Sequence, residues 1–234
     1  MELISSQSRG TFKNSWLDSK HSFSFGEYFN PKRMNFSTLR VINEDQVAAN
    51  GGFPLHSHRD MEIISYVLEG ALSHQDSLGN GSTIRPGDIQ RMSAGTGILH
   101  SEFNHSMSDK VHFLQIWLLP SQRGLAPDYA QQHFSSEQRR GQLRLVASPN
   151  GEQGSLQVNT DTYLYASILQ AGDEIVYQKP INRAVYVHVA KGLLVINDIT
   201  LQAGDAAILD KEQEARFSTS ASTEFLLFDL PPVL

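Results

Sequence analysis

Two short motifs carry most of the chemistry in this sequence: His56-Ser57-His58, at the start of a β-rich run, and His100-Ser101-Glu102, after the turn Ala94-Gly95-Thr96-Gly97. In a strand alternate side chains share a face, so each motif presents two donors to the same side. On neighbouring strands the two pairs would bring three imidazoles and a carboxylate to one point. Imidazole is a borderline ligand and carboxylate a hard one, a mixture that suits a divalent transition metal but leaves zinc, iron, copper, nickel, cobalt and manganese all open. An ion that accepts five or six ligands keeps room beside four protein donors, as a reactive site requires. The sequence has no cysteine, so nitrogen and oxygen must hold any metal.

A lone His-x-His in a polar loop is usually a solvated surface feature; two motifs of matching period reverse that expectation. Glu62 competes with Glu102, because strand alternation puts residues 56, 58, 60 and 62 on one face, and Glu102 is preferred. His21, His74, His105, His112, His133 and His188 lack a partner at strand spacing and read as core or surface residues, with His74 and His105 the two to follow. Other chemistries fare worse. There is no G-x-S-x-G, Ser101 points away from His100 on a strand, and no phosphate-loop or dinucleotide fingerprint occurs.

The elements that must position these residues are strands. Runs rich in β-branched and aromatic residues recur at Phe36–Ile42, Ile63–Leu68, Val111–Leu119, Leu143–Ala147, Tyr163–Leu169, Val185–Val189 and Phe225–Phe228, separated by turns such as Pro86-Gly87-Asp88 and Ala203-Gly204-Asp205. A weak helix is expected around Asp128–Arg140. A distant repeat sets Tyr66-Val67-Leu68-Glu69-Gly70 beside Val187-His188-Val189-Ala190-Lys191-Gly192, and Ile84–Asp88 beside Leu201–Asp205. Two copies of one β-unit would account for the 234 residues, with a boundary between Ser121 and Gln142. Around Lys179–Arg183 no His-x-His occurs and His188 is the only histidine after Gln142, so the second copy is expected to be metal-free.

Composition narrows the partners. A net charge of −6 with scattered Lys and Arg disfavours direct nucleic-acid binding. No apolar run approaches the ~18 residues of a membrane span, and no N-terminal leader pattern is visible, so the expected location is cytoplasmic.

At these motifs the chain resembles the pirin family, double-barrel members of the cupin superfamily, over nearly its whole length. Three stretches carry the likeness: Gly10 with Trp16–Phe29, His56–Gly70, and Gly95–Glu102; the ending Leu227–Pro231 fits as well. Ser57, and Asp60 where family members often have glycine, are departures outside the ligand set. The resemblance implies an all-β bicupin with two jelly-roll-like β-barrels. Residues 1–125 would form the N-terminal metal-binding barrel and 126–234 a degenerate metal-free one. It implies one divalent ion per chain, iron(II) foremost, with His56, His58, His100 and Glu102 as ligands and Glu62 beside the metal without binding it. Glu102, at the ion and within reach of a substrate proton, is also the expected catalytic base. Some pirin-like proteins are similar to quercetin 2,3-dioxygenases, which open the central ring of a flavonol with O2 and release CO. Others are redox-responsive partners of transcription regulators. The expected substrate is thus a flavonol-like aromatic with O2, and the alternative is a protein partner.

Overall fold

The computed structural model describes residues 1–209 and 211–233, and nearly every regular element in it is a strand. The chain forms two compact units, one of Gly10–His133 with Val158–Thr160, the other of Met1–Arg9, Phe134–Gln157 and Asp161–Leu234. Each pairs a seven-stranded sheet with a four-stranded sheet. This is the double jelly-roll of a bicupin.

In the first unit the large sheet runs Asp128–His133, Asp88–Ser93, Glu62–Glu69, Val111–Leu118, Leu39–Val47, Leu17–His21, Gly10–Lys13; the small one runs Gly52–His58, Ile98–Asn104, Leu72–Asp76, Gly81–Ile84. The second unit repeats the order strand for strand: Glu2–Ile4, Ala206–Leu209, Ala184–Lys191, Thr223–Leu230, Tyr163–Leu169, Arg144–Ser148, Leu156–Gln157, and Glu174–Gln178, Glu214–Ser218, Leu193–Ile196, Ile199–Gln202. The repeat seen in sequence thus maps onto equivalent strands. Glu62–Glu69 and Ala184–Lys191 are both third in their sheets, and each is followed by a left-handed glycine, Gly70 (φ 77°) and Gly192 (φ 80°). At Gly192 a Cβ would stand 2.4 Å from the Ser222 carbonyl oxygen, so only glycine fits the turn.

A single cut at 125/126 does not follow this path. Asp128–His133 pairs with Asp88–Ser93 and completes the first sheet, while Glu2–Ile4 takes the corresponding outer position against Ala206–Leu209 in the second. Each flanking strand covers a sheet edge that would otherwise expose unpaired backbone groups. The helix expected over Asp128–Arg140 shrinks to Ser136–Arg139, closed by a capping box between Ser135 and Gln138, because ladder pairing claims Asp128–His133. No helix among the described residues is long and apolar enough to cross a membrane.

The two interiors differ. The second unit buries Val187, Leu194, Phe217 and Phe225, with the two phenyl rings stacked at 5.1 Å. The first buries an apolar layer of Val47, Val67, Leu72 and Phe113, but much of its remaining interior is polar.

Candidate metal centre

Gly52–His58 is the outer strand of the small sheet, where Pro54, lacking an N–H, is tolerated. Its register against Ile98–Asn104 slips: His100 faces His56, but Glu102 faces Phe53. The extra residue is a β-bulge at Pro54-Leu55, a device that re-aims neighbouring side chains. The Pro54 carbonyl accepts from Nδ1 of His56 at 2.8 Å, which fixes the tautomer and leaves Nε2 free to ligate.

The chain then turns sharply. Asp60 takes a left-handed φ of 49°, which suits the glycine often found there in the resembling family, and Asp60 stabilises the turn by accepting the Gly124 N–H at 2.7 Å. Its own N–H donates to Gly95, whose φ is 48° and where a Cβ would lie 2.1 Å from the Leu125 carbonyl oxygen. The turn after His58 and the turn before His100 are therefore tied together.

Three imidazoles converge as a result. Ring centroids lie 4.4 Å apart for His56–His100, 4.8 Å for His56–His58 and 4.8 Å for His58–His100, and one ligand nitrogen from each lies within 4.8 Å of the others. His100 is 1% exposed, and neither ring nitrogen has a hydrogen-bond partner among the described residues. A buried imidazole with no hydrogen bond is costly, and a metal ion at its nitrogen would satisfy it. Burial, reinforced by His56, His58 and His74, holds His100 down to about 2; burial and then His56 hold His58 down to about 4. Both rings are neutral at pH 7, the form that ligates.

Glu102 lies on the same inward face as His100. Its carboxylate accepts from Ser65 Oγ at 3.2 Å and from Gln115 Nε2 at 3.2 Å and 3.4 Å. Burial pushes it up to about 7, with Asp45 adding to the rise and the two hydrogen bonds opposing it. Ser65 and Gln115 belong to a row that crosses the large sheet in register: His21, Asn43, Gln115, Ser65, Gln90, Gln131. Its members Ser65 and Gln115 interrupt otherwise apolar runs, Ile63-Ile64-Ser65-Tyr66 and Leu114-Gln115-Ile116, and a polar residue inside an apolar strand was the sequence signal for this floor.

Glu62 does not share a strand with His56 and His58. The turn at Asp60 carries it to the large sheet, where Oε2 accepts from Ser93 Oγ at 2.9 Å and from the Asn159 N–H at 3.1 Å, and Oε1 from Asn159 Nδ2 at 3.3 Å. His74 is buried and close: one of its nitrogens, one from His100 and an oxygen of Glu102 lie within 4.8 Å of one another. His105 is tied to Ser73 Oγ at 2.8 Å, and His112 and His133 pair with Glu44 and Asp88. On the large-sheet side Trp117 meets His58 edge to face at 4.9 Å and Phe25 at 5.3 Å, an aromatic wall beside the triangle.

Fold and site together define a bicupin with one polar, metal-competent barrel. Residues 4–118 match the Pirin family model and residues 145–230 that of the quercetinase C-terminal cupin domain. A protein of Escherichia coli K12 named quercetin 2,3-dioxygenase is 44% identical over 225 residues, covering 96% of both chains, and a pirin-like protein of Caulobacter vibrioides is 38% identical over 94% of this chain and 95% of its own. The crystal structure of the E. coli bacterial pirin YhhW in complex with nickel(II) superimposes with a TM-score of 0.94 at 43% identity, covering 99% of each chain. The chain belongs to the pirin family.

Proposed function

We propose that this protein is a metal-dependent dioxygenase that opens the central ring of a flavonol such as quercetin with O2 and releases CO, and that His56, His58, His100 and Glu102 hold its ion. The observation that carries this reading is the triangle of neutral imidazoles around an unpaired, buried His100. Iron(II) is the ion we favour; the nickel(II) in a relative's crystal structure keeps nickel as the first alternative. When bound, the ion supplies positive charge and an open position at which an aromatic oxyanion is stabilised.

The chain's own residues do the rest. His56 and His58 are only half-buried, so the ion is approached from their side. Phe25 and Trp117, packed edge to face, offer aromatic surface to a planar substrate. Glu102, whose carboxylate Ser65 and Gln115 hold in place, takes the proton of the 3-hydroxyl. Glu62, its carboxylate engaged by Ser93 and Asn159, stays beside the ion without binding it.

The test is turnover: protein stripped by chelator and reloaded with single ions is mixed with flavonols while O2 uptake and CO release are followed. Loaded protein that consumes no O2 with any flavonol overturns the reading. One observation favours a protein-binding alternative in that case: Leu55, Leu99 and Phe103 stand exposed on the outward face of the small sheet.

A further inference from the structure

We propose that His74 makes, with His100 and Glu102, an inner position for the same metal ion that overlaps the outer position of His56, His58 and His100 at the shared His100. The proposal rests on the reading that His100 and Glu102 bind the ion.

His74 lies directly across the ladder from Glu102, on the neighbouring strand of the small sheet, so the two side chains share the inward face. The three donors are all buried and mutually within 4.8 Å. His74 is also oriented as ligating histidines usually are, with one ring nitrogen committed to a carboxylate. Its Nε2 donates to Asp76 at 3.3 Å, and Asp76 is itself fixed by the N–H groups of Leu78 and Asn80 and by Asn80 Nδ2. Tyr129 stacks on the ring at 5.2 Å and holds its plane.

That leaves Nδ1, which meets only Gln90 Nε2 at 3.2 Å. The same amide has a buried Oε1 without a hydrogen-bond partner, so Gln90 is weakly anchored and can turn aside. The ring is thus held from its Nε2 side, while Nδ1 faces a donor that can move. With both nitrogens of His100 unpaired, no group among the described residues competes for the donor that the two positions share.

The experiment is a cobalt(II) titration of full-length, chelator-stripped protein, read by bound-metal stoichiometry and by the visible ligand-field spectrum. The His56→Ala/His58→Ala double variant is expected to bind one cobalt at least about 10-fold more weakly than wild type, with an altered spectrum. Adding His74→Gln is expected to abolish that binding, and adding Gln90→Ala instead to tighten it. Thermal melting checks that each variant folds, and the Gln90→Ala arm tests the idea without removing a candidate donor. A double variant that binds no cobalt, or binds it equally with and without His74, overturns the proposal. Wild-type protein that binds no cobalt takes down the metal-centre reading itself, a result separate from any failure of flavonol turnover.

Discussion

The backbone N–H of Asn159 donates to Oε2 of Glu62 at 3.1 Å, joining residues 97 positions apart in the sequence. With Ser93 Oγ and Asn159 Nδ2 as further donors, both oxygens of the Glu62 carboxylate are engaged by the protein. Glu62→Gln should therefore keep a full complement of metal. It should also lower stability by about 1–3 kcal/mol, because an amide NH2 would face donors in a buried place. Metal analysis and thermal melting check both halves; loss of the ion would make Glu62 a ligand after all.

His100 has no hydrogen bond to lose, so His100→Ala removes a metal donor without leaving a protein partner unsatisfied. Bound metal should fall further in His100→Ala than in His56→Ala or His58→Ala, and the affinity loss should exceed the ~10 to 100-fold that follows loss of a group merely supporting a ligand. Equilibrium dialysis against a competing chelator measures the order. Full occupancy in His100→Ala would rule it out as a ligand.

These motifs were legible because a strand repeats every two residues, and His-x-His and His-x-Glu need nothing more to share a face. Glu62 does not share a strand face with His56 and His58, for a reason no local rule reveals: the left-handed turn at Asp60 breaks the strand, and Glu62 starts a strand of the other sheet. Ser65, Gln90 and Gln115 could be seen as polar interruptions, but their alignment into one row depends on pairings between distant strands. Asp128–His133 has helix-forming neighbours, and ladder hydrogen bonds to Asp88–Ser93 override them.

Glu102 gives the metal-free protein a pH dependence of known sign. Its folded value of about 7 lies above its ordinary 4.5, so the folded state holds an extra proton between these values and loses stability as pH rises through the window. His58 and His100 act oppositely: lowered from 6.5, they cost stability as pH falls below that value. Subtracting wild type from Glu102→Gln isolates the carboxyl. The variant's relative stability should climb between pH 4.5 and 7, by at most about 1.4 kcal/mol per pH unit, and level off above. Urea unfolding at several pH values measures it, and a flat difference would contradict a raised Glu102.

One ion per chain is the expected stoichiometry. Where the first unit sets His56 opposite His100, the second sets Tyr177 opposite Ala215 and Ile175 opposite Phe217, none of which matches the borderline nitrogen donors of the first. Two ions in native protein, one of them lost on changing residues after Gln142, would overturn this.

The sharpest test separates the two roles given to Glu102. As a ligand it supplies an oxygen; as a base it needs a carboxylate oxygen within reach of the substrate's proton. Glu102→Gln retains an oxygen donor that Ser65 can still reach, but its amide cannot take up a proton. Metal content should therefore stay largely intact while flavonol turnover drops by about 10² or more, the usual scale for a lost general base. Turnover and metal must be measured on the same preparation, because a purely structural ligand predicts a different pattern: activity per bound ion would then be unchanged, and any loss of rate would follow the loss of metal.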